Sequence, residues 1–205
     1  SLFISPDPAI RKRSQEIFER TVRAEGQIVL GWRDIPTDNS SLGKTAVASE
    51  PFMCQAFVQR APGLADDTAF ERKLYVIRKR IQSDVREHIP RAYHYFYIPS
   101  FSARTVVYKG MLIATQIAGY FKDLGDPLMK SAISLVHQRY STNTFPTWYL
   151  AHPFRMLAHN GEINTLKGNV NWMKSHEIRM ASEHFKGHED DIKPIIQPEI
   201  GRAHV

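Results

Sequence analysis

The 205-residue chain contains a single cysteine, Cys54. One thiol cannot build an internal disulfide framework or a zinc site of several cysteines, and it points to a reducing, intracellular setting. Long hydrophobic runs are missing too. No apolar stretch approaches the roughly 18 residues of a membrane-spanning helix, so a soluble chain is expected. There is no internal repeat, no low-complexity tract and no HExxH motif. The nine histidines do not assemble a metal pattern: Gly187 separates His184 from His188, and His152 and His159 lie in different segments, so no metal is expected. What is present, 42% hydrophobic and 23% charged residues, suits one globular domain with a sizeable core.

The formal charge of +6 has a focus at Arg72, Lys73, Arg78, Lys79 and Arg80. Two readings stand. A basic face beside the aromatic "YHYFY" segment would suit a noncatalytic RNA-binding module. The same residues also suit the solvated side of a helix, because Phe70, Leu74, Ile77, Ile81 and Val85 form an apolar stripe that the cluster mostly avoids.

Spacing and cap residues divide the chain. "SPDPAIRKRSQEIFERTVRAEG" predicts a helix capped by Ser5 or Asp7, with Pro8 in its first turn and Gly26 at its end. Ile10, Ile17, Phe18 and Val22 share its apolar face. "QIVLGWRDIP" and "FMCQAFVQR" read as strands, with a loop over "TDNSSLGKTAVASEP" between them. A helix over "DDTAFERKLYVIRKRIQSDVREH" starts at Asp66 or Asp67. "AYHYFYIPSFSARTVVYKGML" is strand-like, broken at Pro99, and "LIATQIAGYFKDLGD" is a helix or irregular turn. "SAISLVHQRY" and "FRMLAHNG" are apolar runs with polar exits, separated by a loop holding Phe145, Trp148 and Tyr149. A helix over "NTLKGNVNWMKSHEIRM" follows. Mixed helices and neighbouring strands favour an α+β fold over a doubly wound sheet.

Both ends are unusual. "SLFISPDPAI" is neither an initiator segment nor a signal peptide. The ending "PEIGRAHV" can be encoded by DNA that matches a common sequencing-adapter read. The expectation is a partial domain over residues 1–198, cut at both ends, followed by a non-biological tail at 199–205.

Two places invite chemistry. Arg139 leaves the apolar run Ile133–Val136, and its guanidinium fork can bind a carboxylate through two parallel hydrogen bonds. Ser141, Thr142 and Asn143 add short polar groups. A structural salt bridge at a strand end is the plainer alternative. In "HNG", Asn160 and Gly161 can donate an amide and a backbone N–H to a developing oxyanion, or they can form a tight hairpin turn. Cys54, in mid-strand, reads as a small buried hydrophobe rather than a nucleophile.

The block "HQRYSTNTFPTWYLAHPFRMLAHNGEINTLKGNVNWM", with "GWRDIPTDNSSLG", "SEPFMCQAFVQR" and "FYIPSFSARTVVYKGML" upstream, closely resembles the class II glutamine amidotransferase (glutaminase) domain of the glutamate synthase large subunit. The resemblance implies an N-terminal-nucleophile hydrolase fold, a four-layer αββα sandwich. It implies an N-terminal cysteine that attacks the side-chain amide of L-glutamine and releases ammonia, its own α-amine serving as base. It implies that Arg139 binds the glutamine α-carboxylate, that Thr142 and Asn143 line the pocket, and that Asn160 and Gly161 form the oxyanion hole. No cofactor is expected in this chain. FMN and an iron–sulfur cluster are implied for the parent, as are its remaining large-subunit domains and either a small electron-delivering subunit or ferredoxin. Neither a nucleic acid nor a membrane is an expected partner, and a cytoplasmic location, or a plastid in a photosynthetic source, is implied. The sequence departs from the pattern in two ways. Cys54 matches a strand position and not the nucleophile, and "EIGRAHV" stands where the family carries an aspartate for the substrate's α-amino group. The fragment alone is therefore expected to be inactive. Another class II amidotransferase shares the arginine and the Asn-Gly pair and remains the alternative enzyme.

Overall fold

A computed structural model describes residues 1–92, 94–138, 145–151 and 166–195. Its elements are β1 (Leu2–Ile4), α1 (Pro8–Ala24), β2 (Ile28–Asp34), α2 (Lys44–Ala48), β3 (Phe52–Gln59), α3 (Asp67–His88), α4 (Ile117–Tyr120) and α5 (Leu166–Glu177), with short 3-10 turns between several of them. The described residues form an α+β arrangement around one three-stranded antiparallel sheet of order β1-β3-β2.

Both long helices begin where a carboxylate meets unpaired backbone N–H groups. Asp7 accepts from the amides of Ala9 and Ile10 at 2.8 and 3.0 Å, and Asp66 accepts from Ala69 at 2.7 Å. These caps satisfy donors that the first turn leaves free. Gly26, at φ 73°, turns the chain after α1 into a backbone region that a side chain disfavours.

Strand alternation then builds two cores. In β1 and β3, Leu2 pairs with Cys54 and Ile4 with Phe52, while Phe3 pairs with Met53 between them. Successive side chains point to opposite faces. Leu2, Ile4 and Cys54 therefore pack against Ile17, Phe18 and Val22 of α1 and Ile77, Ile81 and Val85 of α3. Phe3 and Met53 face the other way and pack with Ile35, Ala46, Tyr120, Phe121 and Trp148. The pairing of β2 with β3 shifts register between Val29 and Gly31. Leu30 is the extra residue of this bulge and is exposed. The bulge puts Val29 and Trp32 against the same helical layer, which a strict two-residue alternation would not do.

Three expectations change. Residues 44–48, read as loop, form the short helix α2. Among the described residues, the strand expected over 92–112 reduces to one bridge between Phe3 and Tyr97. Local side-chain bonds take over its backbone groups: Ser100 Oγ accepts from Val107 N, Ser102 Oγ from Arg104 N and Thr105 N, and the Glu71 carboxylate from Ala103 N. The run Ile133–Val136 is neither strand nor buried. Ile133, Leu135 and Val136 are 78, 82 and 77% exposed, because no strand among the described residues lies beside them to pair with.

The basic cluster is largely spent inside the fold. Glu25, at the end of α1, is buried and accepts from Lys73 Nζ at 2.8 Å and from Arg80. Arg80 also faces Asp191 at 3.6 Å, and His188 lies 3.8 Å from Glu25 and 2.9 Å from Asp191. Lys79 donates to the carbonyl of Pro194, and the Arg78 guanidinium sits over the Tyr75 ring at 5.0 Å. Phe96 and Tyr97 of the aromatic segment are buried. Lys73, Arg78, Lys79 and Arg80 are thus engaged in contacts within the fold.

Burial alone would raise the Glu25 carboxyl, but the hydrogen bonds from Lys73 and Arg80 outweigh it and hold the group below its ordinary value of 4.5. A lowered folded-state value means stability that is complete above 4.5 and lost as pH falls through the folded value. Wild-type protein should therefore lose stability on acidification below about pH 4.5. Glu25→Gln should cost about 1–3 kcal/mol at neutral pH, since it leaves charged donors with a weaker partner. It should also flatten that part of the pH profile. Urea melts across pH 3–7 check both outcomes.

Candidate functional site

Arg139, Thr142 and Asn143 fall in residues 139–144, and Asn160 and Gly161 in residues 152–165. All five lie outside the described residues. The structure does describe the stretch that joins these two segments, residues 145–151, and the residues that hold it.

Trp148 is the fixed point of that stretch. Its indole is buried in the second core, with its ring centroid 5.6 Å from that of Tyr120. Nε1 donates to the carbonyl of Ala46 at 3.0 Å, which pairs the one polar atom of the ring. The next residue is held through its backbone. Lys109 Nζ donates to the Tyr149 carbonyl at 2.6 Å and lies 4.2 Å from the centroid of the Tyr97 ring. Gly110 approaches Trp148 so closely that a Cβ there would lie 2.4 Å from Cζ3 and 2.7 Å from Cε3. Phe145, at the start of the stretch, is exposed. Sequence reasoning noted Trp148 only as a loop aromatic and missed Gly110 and Ala46, because nothing in their local sequence marks a contact with residue 148.

Polar side chains brace the loops beneath this anchor. The Tyr120 hydroxyl donates to Glu50 at 2.5 Å, and Asn39 Nδ2 donates to the other Glu50 oxygen at 2.8 Å. Burial, reinforced by the Glu50 carboxylate, pushes the Tyr120 phenol well above its usual range. Arg33 holds Asp123 through two hydrogen bonds, one of 3.0 Å from Nη1 and one from Nη2, and Tyr108 donates to the same carboxylate at 2.7 Å. The Arg33 bonds, with help from Tyr108 and against the opposing effect of burial, keep Asp123 below the usual aspartate value. Burial together with the Asp123 carboxylate pushes the Tyr108 phenol up to about 12. A groove of about 300 Å³ opens nearby, lined by Asp34, Thr37, Asn39, Glu50 and Met53 among others. Among its described lining residues, Glu50 is already committed to Tyr120 and Asn39.

Cys54 is where the strand reading put it. It is fully buried in β3, and burial pushes its thiol up to about 12. A thiol of that kind is neither exposed nor ionised at neutral pH, which removes it as a nucleophile. Among the described residues, no group of three or more His, Cys, Asp or Glu side chains is placed to hold a metal ion, and no helix is long and apolar enough to cross a membrane.

Comparison with known proteins defines the class. The profile of the class-II glutamine amidotransferases matches residues 1–203. The chain is 48% identical over 194 residues to a glutamate synthase [NADPH] large chain of Azospirillum brasilense, covering 92% of this chain and 12% of that protein. It is 44% identical over 196 residues to the corresponding large chain of Bacillus subtilis, covering 95% of this chain and 13% of that one. A ferredoxin-dependent glutamate synthase 2, chloroplastic, of Arabidopsis thaliana is 42% identical over 197 residues, or 96% of this chain and 12% of that protein. The chain belongs to the class-II glutamine amidotransferase family. It spans about an eighth of the length of these glutamate synthase relatives.

Because Cys54 is its only thiol, the folded chain should resist iodoacetamide at neutral pH and react only after denaturation. The purified chain should release no ammonia from glutamine, and Cys54→Ser should leave that baseline where it is. Mass spectrometry of the alkylated protein and a coupled ammonia assay check the two statements.

Proposed function

We propose that this chain is part of the glutaminase domain of a glutamate synthase large subunit, hydrolysing L-glutamine to glutamate and ammonia for reductive transfer to 2-oxoglutarate. The observation that carries this reading is the 48% identity to a glutamate synthase large chain over 92% of the residues, with the block at residues 137–173 inside it. In this reading the α+β core described above belongs to the four-layer αββα sandwich of the N-terminal-nucleophile hydrolases.

The chemistry divides among side chains of different kinds. The Arg139 guanidinium grips the α-carboxylate, the end of glutamine that does not react, while Thr142 and Asn143 line the pocket beside it. The fork gives orientation as well as affinity. Attack by a thiolate on the side-chain amide carbon moves charge onto the amide oxygen, and the Asn160 amide and Gly161 N–H donate to that oxygen as the tetrahedral intermediate forms. Collapse expels ammonia and leaves a thioester that water then hydrolyses. Cys54 cannot supply the thiolate, so the nucleophile of this proposal is an N-terminal cysteine of the parent.

FMN and an iron–sulfur cluster serve the reductive half of the proposed reaction. One cysteine cannot ligate such a cluster, and it is buried in a strand here, so the residues of this chain do not fit that group. Both cofactors are assigned to other domains of the parent, with electrons arriving from a small subunit or from ferredoxin. Ammonia would pass from this domain to that site. The proposed location is cytoplasmic, or plastid in a photosynthetic source.

Two substitutions in the full-length parent test the assignment. Arg139→Ala should weaken glutamine binding by about 1.5–3 kcal/mol, the value of a lost charge-assisted contact. That corresponds to roughly ten- to over a hundredfold in kcat/KM. Lysine at the same position should rescue poorly, lacking the fork. Asn160→Ala should lower kcat about a hundred- to a thousandfold with little change in KM, because its donor serves charge that exists only in the intermediate. Steady-state ammonia release gives both constants. Unchanged glutamine kinetics in the arginine variant, or a rise in KM alone in the asparagine variant, would remove that residue from its role.

A further inference from the structure

We infer that Trp148 is a positioning residue for the glutamine site, and that Gly110 is the backbone position that permits it. The inference rests on the proposed roles of Arg139 and Asn160. Residues 145–151 are the only chain between the segment that carries Arg139 and the segment that carries Asn160. Fixing this stretch fixes the points in the chain at which both segments begin.

Trp148 does the fixing. Its indole is buried, hydrogen-bonded to the Ala46 carbonyl at 3.0 Å, and packed beside Tyr120. The segment 109–110 grips it from the other side. Lys109 holds the Tyr149 carbonyl at 2.6 Å, and Gly110 leaves no gap, since a Cβ would stand 2.4 and 2.7 Å from two ring carbons. A side chain at position 110 therefore forces the indole or the 109–110 backbone to shift, and either movement disturbs the anchor of residues 145–151. A displacement of about 1 Å far from the reacting atoms can cost on the order of a hundredfold in rate.

The test compares Gly110→Ala, Trp148→Phe and the double variant in the full-length parent. Ammonia release from glutamine is measured well below the melting temperature recorded by circular dichroism. Gly110→Ala should lose about ten- to a hundredfold in kcat/KM per folded molecule. The shorter phenyl ring lacks the two carbons that clash, so adding Trp148→Phe should recover part of that loss. A merely structural role would shift the melting temperature and leave kcat/KM per folded molecule unchanged, which would overturn the inference. A double variant no better than Gly110→Ala would overturn it too. Should Gly110→Ala fail to fold, Lys109→Met removes the hold on Tyr149 and decides in its place, with unchanged kcat/KM counting against the inference. Arg139→Ala and Asn160→Ala are run alongside. If they lose activity while the anchor variants do not, only this inference falls. If they too are unaffected, the proposed site falls and the inference with it.

Discussion

The hydrogen-bonded ladder on both edges of β3 is the constraint from which the rest follows. Paired to β1 on one side and β2 on the other, the strand must send alternate side chains to opposite faces. Cys54 goes to one face and Met53 to the other, and both are buried. Each face then needs its own apolar cover. The helical side is closed by α1 and α3, whose stripes match it by simple helical spacing. The opposite side is closed by the short helices α2 and α4 and by irregular segments within residues 35–50, 94–126 and 145–151. It is this irregular side that receives Trp148.

Irregular backbone cannot satisfy itself through a ladder or helix, so it borrows side chains. Asp123 collects Arg33 and Tyr108, Glu50 collects Tyr120 and Asn39, and Ser100 and Ser102 accept from nearby amides. Arg33 and Asn39 stand on or just after β2, so these bonds tie the loops to the sheet. The helical side has a polar hub of a different kind. Glu25 is buried between two cations, and Asp191 balances Arg80 from the segment after α5. A carboxylate so placed is tolerable only because its partners are fixed with it. The result is a charged cluster held together by internal contacts.

Much of this was legible in the sequence. Ser5 or Asp7, and Asp66 or Asp67, mark the starts of the two long helices, the structure selecting Asp7 and Asp66, and the stripes Ile10–Val22 and Phe70–Val85 name their buried faces. "FMCQAFVQR" reads as a strand, and Cys54 as a buried thiol. The five candidate site residues came from the block at residues 137–173, whose pattern is specific enough to name a family before any coordinates. Other features were not legible. The bulge at Leu30 that aligns Val29 with Trp32 depends on where β3 offers its partners. The strand expected over 92–112 gives way, among its described residues, to serine and glutamate side chains that capture its amides, and Ile133–Val136 lies exposed despite an apolar, β-branched composition.

The sequence by itself determined the helix starts, the apolar stripes, the central strands and the family. Each of these is written in residues within a few positions of one another, or in a contiguous motif. Only the tertiary structure decided that Trp148 is buried against Ala46 and Tyr120, that Gly110 abuts its ring, and that the basic cluster closes on Glu25. These depend on contacts between distant parts of the chain: the Trp148 bond to Ala46 spans 102 residues, and the Arg80 bond to Glu25 spans 55. No local window holds both partners, so only folding can bring each donor to its acceptor.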